Sequence, residues 1–557
     1  AALHTTFASH DEDQPQVLND SLWIVADARI DGRDELRAQL AAYGRRDLVT
    51  DGELILHAYD VWQAACLDRL LGDFAFAIWD QPRRRLFCAR DHFGVKPFYY
   101  SRLGDSLYFS NTLNVLRRTG TDRLNDQAMG DFLLFGYNQN VATTFFADIQ
   151  RLPPGHFLEL SPTKLRVQCY FSLPIADALR NKSALDYVDE FRQLVGQATA
   201  DRLRCKSVAM LMSGGLDSTS VAAVASQSLP APSMKAYTVV YDRLVPSDER
   251  RYASRMAETF GFDIEFLVAD DYRLFERWDA LRTPEPVDHP LSAIWHDHLR
   301  QVALDHRVAL TGEGGDAILQ PDYSYPVNLL KRLEICRFAV EVGGYFLSHR
   351  GRLPPLGIHG ELRRWFHWQR QDTETLPSWL NRDFVARAGL RERWHDRSQT
   401  PKVIHALRPG AHANLASSYW PYYFEGFDAG VTGFPLEIRS PFFDLRVVKF
   451  ALALPPLPWC VDKELLRQSM RGILPEELRL RPKSPLAQDP VTLLLRRAES
   501  AWVDHFTAEP ALACYVEKDK IPPLGAASDG AAADGYYHKL LPLALNHWLK
   551  HSLPAAR

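Results

Sequence analysis

The stretch VAMLMSGGLDSTSV, Val208–Val221, decides the fold of the larger part of this chain. An apolar run enters a Ser-Gly-Gly-Leu-Asp-Ser turn, and a helix starts directly after it. Several backbone N–H groups are therefore left free and point at one place, which suits a phosphate. The alternative is a plain strand-to-helix turn with a serine cap, which needs no ligand. We predict nucleotide binding, and the absence of the lysine-bearing Walker pattern argues against kinase-type γ-phosphoryl transfer.

The side chains of this turn suit a polyphosphate with its cation. Glycines permit close backbone approach, serine hydroxyls donate hydrogen bonds, and an aspartate can hold a cation that bridges phosphates. The residues predicted to bind the nucleotide here are Leu211, Met212, Ser213, Gly214, Gly215, Asp217 and Ser218.

Length and composition bound the class of protein. The chain has 557 residues, is 46% hydrophobic and 24% charged, and has a formal net charge of −4. It can bury more than one core, and no strong basic field draws it to nucleic acid. Its 7 cysteines lack C-x-x-C spacing. It also lacks an apolar stretch of about eighteen residues and a signal-peptide pattern. We expect a cytoplasmic protein without nucleic-acid or membrane partners, and the start at Ala1 suggests trimming.

Short aromatic or β-branched runs separated by turn residues dominate the first part of the chain, and they favour packed antiparallel sheets. A helical stretch of 51–70 lies between the first two runs. A Pro-Pro-Gly turn within Arg151–Leu160 and helical periodicity from Ser183 indicate a border, so we predict domains at 1–175 and 176–557. The runs are Ser21–Ile30, Gly72–Asp80, Arg84–Asp91, Lys96–Ser101 and Ser106–Asn111.

Strand and helix patterns alternate after Val221, with strands predicted at Met234–Asp242, Asp263–Asp270 and Val308–Asp316. Such alternation favours a mainly parallel sheet with helices on both faces. The ligand crevice of such a sheet lies at the carboxyl ends of its strands. We therefore expect the glycine turn after Val208 and the end of the last of these strands to border one cleft.

Two stretches resemble known families. SGGLDS at Ser213–Ser218 resembles the pyrophosphate loop of ATP pyrophosphatases, which cleave ATP between the α- and β-phosphates to make an acyl-adenylate. GDFAFAIWDQPRRRLFCARDHFGVKPFYY at Gly72–Tyr100 resembles the amino-terminal domain of class II glutamine amidotransferases, specifically of asparagine synthetases. The resemblance implies an α+β and α/β protein. Its amino-terminal glutaminase-like domain would be a four-layer antiparallel β sandwich with helices, followed by an ATP-pyrophosphatase-type parallel sheet flanked by helices.

The amino-terminal domain departs from this family. The family's glutaminase uses an amino-terminal cysteine, whereas this chain begins with Ala1 and has its first cysteine at Cys66. The family's Asn-Gly-Glu segment reads ADARIDG at Ala26–Gly32, and an RHRGPD-like segment is not present. We predict a degenerate, structural domain without glutamine hydrolysis.

A second glycine-rich turn, TGEGGD at Thr311–Asp316, resembles the family's GEGGDE motif, with Ala317 in place of the last acidic residue. Read alone, such a turn after a strand is a weak signal. The resemblance implies that Asp217 and Asp316 share Mg²⁺, which neutralises the leaving pyrophosphate of ATP. The remaining predicted nucleotide contacts are Val239 and Val240, which could equally be strand core, and Gly312, Glu313 and Gly314.

Four residues are predicted to act in catalysis. Lys463 and Lys483 lie, in the family, over the phosphates and the reacting acyl-adenylate, where they offset developing negative charge. Solvated lysines are the alternative. A Tyr–Glu pair deprotonates the amine in β-lactam-forming relatives, and Tyr422 with Glu425 are the nearest candidates, although such dense aromatics are more often core. Arg439 and Asp444 resemble a family segment and are expected to form a structural pair.

The function predicted is that of a lasso-peptide cyclase, because ADARIDGRDEL at Ala26–Leu36 and the TGEGGD form resemble that group. Such an enzyme adenylates an Asp or Glu side chain of a precursor peptide, and the peptide's α-amine closes a macrolactam. Its expected partners are the precursor, a leader-binding protein and a leader peptidase, and RRWFHWQR at Arg363–Arg370 could line a peptide channel or be a surface helix. The alternatives are a β-lactam or carbapenam synthetase, an asparagine synthetase, and a non-catalytic nucleotide-binding scaffold.

Overall fold

The computed structural model describes residues 3, 5–119, 122–175, 179, 183–245, 247–348, 352–354, 376–398, 405, 407–483, 486–523 and 534–552. The aromatic run predicted as a channel wall, at 363–370, lies outside these residues. Within them, no helix combines the length and the apolar character needed to cross a membrane.

Two antiparallel sheets form the amino-terminal part. The larger sheet has the strand order β1-β2-β3-β4-β8-β9 and the smaller one β6-β5-β7, which confirms the antiparallel prediction. The strands are β1 (Gln16–Leu18), β2 (Leu22–Asp31), β3 (Leu71–Asp80), β4 (Arg85–Arg90), β5 (Tyr99–Leu103), β6 (Ser106–Ser110), β7 (Gln150–Arg151), β8 (His156–Leu160) and β9 (Leu165–Cys169).

The amino-terminal sheets and helices make four layers. Helices α1 (Arg33–Ala41) and α2 (Asp51–Trp62) cover the outer face of the larger sheet. The two sheets meet through a small apolar cluster that includes Ala75, Cys88 and Phe98. Helices α3 (Leu113–Arg117) and α4 (Asp126–Phe135) pack behind the smaller sheet. Because side chains alternate along a strand, β5 can serve both of its faces, so the layered sandwich follows from period-two patterning.

A parallel sheet of order β12-β11-β10-β13-β14 organises the carboxy-terminal part. Helix α5 (Ala184–Asp201) is started by a capping box at Ser183, and it packs on one face with α6 (Leu216–Ala225) and α7 (Glu249–Phe260). Helix α8 (Ser292–Asp305) covers the other face. This confirms the expected sheet with helices on both faces. The strands are β10 (Val208–Leu211), β11 (Met234–Val240), β12 (Asp263–Val268), β13 (Val308–Thr311) and β14 (Glu437–Arg439).

Short helices make up most of the rest of the described chain. Some pack against the smaller amino-terminal sheet, where α4 shares one apolar cluster with the carboxy-terminal helix. The helices are α9 (Gly315–Ile318), α10 (Tyr325–Lys331), α11 (Ile335–Ser348), α12 (Arg382–Arg387), α13 (Leu390–Ser398), α14 (Pro409–Leu415), α15 (Tyr419–Gly426), α16 (Ala429–Thr432), α17 (Leu445–Ala453), α18 (Glu464–Ser469), α19 (Glu476–Arg479), α20 (Pro490–Leu495) and α21 (Asp534–Ser552).

Strand β14 was not predicted from the sequence, and it is followed by a turn at Pro441–Phe443 and by helix α17, whose start Asp444 caps. Three residues with charged ends give no strand pattern, yet they pair in parallel with β13. Arg439 donates to Glu437 within the strand, at 3.0 Å, while Asp444 accepts from Arg202 at 3.0 Å. The expected pair of Arg439 with Asp444 is therefore not formed.

Candidate active site

The glycine turn after β10 closes on itself through its two serines. Ser218 Oγ accepts the Ser213 N–H at 3.1 Å and donates to the Ser213 carbonyl at 2.9 Å. The turn then enters α6, whose first N–H groups have no acceptor within the helix. Both the turn and the start of α6 lie at the carboxyl edge of the sheet, as expected for a phosphate site.

The second glycine motif packs directly against this helix start. A Cβ atom on Gly312 would lie 2.4 Å from the Ser218 nitrogen, and one on Gly315 would lie 2.5 Å from Asp217 Cγ. Only glycine permits so close an approach of the two turns. The approach brings Asp217, at the start of α6, and Asp316, at the start of α9, to a common centre.

That centre is a lysine ammonium. Lys463 Nζ lies 2.5 Å from Asp217 Oδ2 and 2.7 Å from Asp316 Oδ1. Lys483 Nζ lies 3.0 Å from the same Asp316 oxygen, with its side chain 75% exposed against 17% for Lys463. The structure therefore brings together the two predicted metal ligands and the two predicted catalytic lysines.

Burial and the lysine charges shift the pKa values of the three carboxyl groups at this centre in different directions. Burial raises the pKa of Asp217, and Lys463 partly offsets this. Burial also raises the pKa of Asp316, but the hydrogen bonds and charges of Lys463 and Lys483 have the larger effect, so the net shift of this pKa is downward. Burial and the two aspartates raise the pKa of Glu313, which opens to solvent beside them.

Lys463 sits in an uncommon backbone conformation. Its φ is +57°, and that of Asp462 before it is +47°. A residue other than glycine in the left-handed region costs of order 1–3 kcal/mol and persists where the surroundings hold it. In this conformation the lysine side chain contacts both aspartates. Strained backbone of this kind is concentrated at functional sites.

The described residues fit Mg²⁺ with a nucleotide polyphosphate. Asp217 Oδ1 is buried and has no hydrogen-bond partner among them, and its other oxygen already holds a cationic group. Carboxylate oxygens are the ligands Mg²⁺ prefers. Asp217 and Asp316 would hold the metal. The N–H groups of Ser213, Gly214 and Gly215 already donate within the protein, so the first N–H groups of α6 would face the phosphates.

Four of the predicted nucleotide contacts lie at or just after the ends of two neighbouring strands. Val240 is buried at 2% exposure, and Val239 packs partly into an apolar cluster, both at the end of β11. Met212 is buried, and its carbonyl accepts from Thr238 Oγ1 at 2.6 Å. Leu211 ends β10 and packs partly on the opposite apolar cluster. Their location beside the turn is compatible with the nucleotide role and with plain strand core.

Two charged residues that contact the turn were not predicted from the sequence as part of the site. Glu249, at the start of α7, accepts the Gly214 N–H at 2.5 Å and pairs with Arg481 at 3.1 Å. Arg481 lies 4.1 Å over the Tyr252 ring, and its Nη1 is buried with no described hydrogen-bond partner. The only signal was that Arg481 stands two residues before Lys483 in the RPK string. Glu249 opens an ordinary amphipathic helix and gave none.

Tyr422 and Glu425 do not pair with each other. Tyr422 donates to Asp288 Oδ1 at 3.1 Å and stacks on Tyr137 at 5.1 Å. Burial, followed by the charge of Asp288, raises the Tyr422 pKa well above its ordinary value. Burial also raises the pKa of Asp288. The carboxylate partner of Tyr422 is therefore Asp288, from a loop that the sequence did not single out.

Glu425 instead lies in a buried network between the domains. It accepts from Arg90 Nη2, Arg151 Nε and the Tyr99 hydroxyl, each at 2.9 Å. Burial acts upward on its pKa, but the two arginines outweigh it and lower the pKa. A carboxylate held by three donors is a poor proton acceptor, so this geometry does not support the predicted role as a base.

The segment Ala26–Gly32 places Arg29 in a second ionic cluster between the domains. Arg29 is 1% exposed, donates to Asp31 and Asp73, and has its Nε 3.9 Å from Glu437 Oε1. Glu437 belongs to the parallel sheet. The guanidinium is thus enclosed by carboxylates of both domains, which holds the domains together in this region.

Two family models match the chain. The Asparagine synthase model matches residues 190–550, which is more than half of the chain. The chain belongs to the asparagine synthase family. A Glutamine amidotransferase domain model matches residues 4–171 of this family member. Membership supports asparagine synthetase-like, ATP-dependent amide-bond formation, so this asparagine synthase family member is an amide-forming ligase.

Curated relatives of this asparagine synthase family member bear related names. The glutamine-hydrolyzing asparagine synthetase 3 of Bacillus subtilis is 26% identical over 504 residues, which cover 84% of this chain and 75% of the relative. Amidase chyE of Penicillium rubens is 26% identical over 553 residues, which cover 84% of this chain and 76% of the relative.

Among solved structures, a glutamine phosphoribosylpyrophosphate amidotransferase from B. subtilis complexed with ADP and GMP covers 46% of this chain and 48% of that chain, at 15% identity and a TM-score of 0.21. A similarity that low supports no argument about this chain.

Proposed function

We propose that this ligase closes a macrolactam in a ribosomal peptide of the lasso type. It would adenylate an Asp or Glu side chain of the precursor, and the α-amine of the same peptide would attack, releasing AMP and pyrophosphate. The precursor is then the substrate, and a leader-binding protein and a leader peptidase are its expected partners.

The first half-reaction is supported by the lysine and aspartate centre. Mg²⁺, when bound, neutralises phosphate charge and helps pyrophosphate to leave. Lys463 and Lys483 hold ammonium groups beside Asp316, at 2.7 and 3.0 Å. Such fixed charges act where negative charge develops as the carboxylate oxygen attacks the α-phosphorus. Four charged groups kept together at one glycine-lined cleft argue against a scaffold that only binds nucleotide.

The choice of acceptor rests on Arg29. Ammonia-producing members of the family, by the resemblance of their sequences, carry an Asn-Gly-Glu segment where this chain reads ADARIDG at Ala26–Gly32, which includes Arg29. Here the arginine is buried among Asp31, Asp73 and Glu437. Its charge and bulk serve an ionic contact between domains, and this favours an amine that arrives with the substrate rather than ammonia from glutamine.

Asparagine synthesis is the second candidate. It is favoured by the relative from Bacillus subtilis, which bears that name and matches over 84% of this chain. A β-lactam or carbapenam synthetase acting on a small amino acid would use the same centre and remains a third candidate.

One assay separates these reactions. The ligase with MgATP is supplied in turn with a leaderless core peptide, with a β-amino acid, and with aspartate plus glutamine or ammonium, and both pyrophosphate and products are measured. The proposal expects pyrophosphate with the peptide alone and a product lighter by one water. Asparagine as the product of the last mixture would contradict the macrolactam proposal while keeping the ligase assignment.

A further inference from the structure

Two histidines and an aspartate converge on the side of the molecule formed by the carboxy-terminal helix. His547 and His551 are one turn apart on α21, and Asp279 lies in the loop between β12 and α8. Each offers a ligand atom, and the three atoms lie within 4.8 Å of one another. None of them takes part in the lysine and aspartate centre.

The distances place the imidazole nitrogens around one carboxylate oxygen. His551 Nε2 lies 2.6 Å from Asp279 Oδ1, and His547 Nδ1 lies 3.8 Å from the same oxygen. The histidine side chains are only 17% and 19% exposed, whereas Asp279 is 73% exposed. Four-coordinate zinc with bonds of about 2 Å separates its ligand atoms by roughly 3.3 Å, so small side-chain shifts would admit the ion.

We propose that His547, His551 and Asp279 form a site for a borderline-soft divalent cation, with Zn²⁺ as the best fit. Histidines at i and i+4 share one helix face and act as a two-nitrogen chelate. Imidazole suits zinc, nickel and copper, while Mg²⁺ prefers oxygen ligands. The open side of Asp279 leaves room for water as the fourth ligand.

The site would fix the carboxy-terminal helix to the loop that carries Glu285 and Asp288. His547 also packs on Trp278 of this loop, with ring centroids 4.4 Å apart. Farther along the loop, Glu285 binds Arg151 and Asp288 binds Tyr422. A metal at Asp279 would therefore stabilise the segment that supplies both carboxylates, independently of the amide-forming reaction.

Lys550 provides an internal test of this proposal. Its Nζ lies 3.6 Å from Asp279 Oδ1, so its charge competes with a metal for that oxygen. If Asp279 only neutralises surrounding cations, then removing Lys550 leaves metal binding absent. If the three residues form a metal site, Lys550→Gln binds the metal at least as tightly as the parent protein.

The experiment titrates the full-length chain, free of any histidine tag, with ZnCl₂ in excess MgCl₂ by calorimetry. Thermal unfolding is followed in parallel, because an ion that binds only the native state raises the melting temperature. We expect a single zinc equivalent per chain. His551→Ala and Asp279→Asn should weaken it at least about tenfold, since loss of an outer partner alone costs that much.

His505→Ala is the matched control, because His505 is exposed and lies outside the cluster. It should bind zinc as the parent protein does. Absence of zinc binding by the folded parent chain, or zinc binding that His551→Ala and Asp279→Asn both leave unchanged, overturns the proposal. Circular dichroism of each variant shows that it is folded, and Asp279→Asn changes an exposed side chain, so one variant always remains interpretable.

Discussion

The ammonium nitrogen of Lys463 lies 2.5 Å from Oδ2 of Asp217, across 246 residues of chain. Lys463 reaches this position from a left-handed backbone conformation, and it also contacts Asp316. One lysine thus joins the two glycine motifs and leaves the second Asp217 oxygen buried without a described partner. The arrangement is a pair of carboxylates already adapted to a cation.

Lys463→Met should abolish most of the ligase activity. Without the ammonium, the charge that develops on the phosphates is no longer offset, and a loss of at least about 100-fold in AMP formation is expected. Lys449→Met, on the exposed side of α17, is the control and should keep its rate. AMP formation by a folded Lys463→Met protein at near the parent rate would show that the lysine is not part of the chemistry.

Glu425→Gln should act on stability. Removing this carboxylate leaves Arg90 and Arg151 buried without their shared partner, and breaking a buried ion pair costs about 3–5 kcal/mol. We expect a lower melting temperature, measured by circular dichroism. A variant that keeps the parent melting temperature but loses amide formation would instead support the original prediction of a base.

Gly312→Ala should disrupt the site, because its Cβ would lie 2.4 Å from the Ser218 nitrogen, a backbone atom that cannot yield cheaply. We expect lower stability and weaker MgATP binding, followed by ligand-induced thermal shift. Gly196→Ala is the matched control, since nothing lies within 4 Å of its Cβ in the middle of α5. It should stabilise the protein by about 0.5–1 kcal/mol. Equal effects of both changes would contradict the close approach.

Asp428 should make stability fall as the pH rises through mildly acidic values. Burial, followed by the charge of Asp27, raises its pKa from 3.8 to about 6. Between these values the folded chain holds a proton that the unfolded chain has released, so stability is lost as pH increases. Asp428→Asn should lose this contribution, and its melting temperature relative to the parent should rise from pH 4 to 6, because burial raises the parent pKa to about 6. Asp34→Asn, at a fully exposed carboxylate, should show no such trend.

Local patterns predicted the sheets because those signals are short in sequence, whereas the aspartate and lysine centre was implied by the resemblance of its segments to a known family. The aromatic and β-branched runs of β2 and β3 and the two glycine turns each lie within about ten residues. Strand β14 was missed because three residues with charged ends carry no periodicity, and only pairing with β13 makes them a strand.

Hydrogen bonds and ion pairs between residues distant in the chain could not be predicted from the sequence. Glu425 accepts hydrogen bonds from Arg90, Tyr99 and Arg151, each more than 270 residues away in the chain. Tyr422 and Glu425 are three positions apart and were therefore predicted to pair, but these tertiary contacts give each of them a different partner. The hydrogen-bond partner of Tyr422 is Asp288, which lies in a loop that carries no recognisable motif. Helical proximity alone did not specify the partner, because competing buried arginines bind the glutamate more strongly.

The hydrogen bond from Tyr422 to Asp288 predicts that these two residues act together in the second half-reaction. Tyr422→Phe and Asp288→Asn should both keep carboxylate-dependent pyrophosphate exchange, because neither contacts the lysine and aspartate centre. Both should slow amide formation by about 100-fold if the pair accepts the amine proton. The double variant should be no slower than the slower single one, since residues that work as a unit are not additive. Tyr108→Phe, on the outer strand β6 and 41% exposed, should leave both steps unchanged. Additive losses, or unaltered amide formation in Tyr422→Phe, would show that the pair only shapes the wall of the cleft.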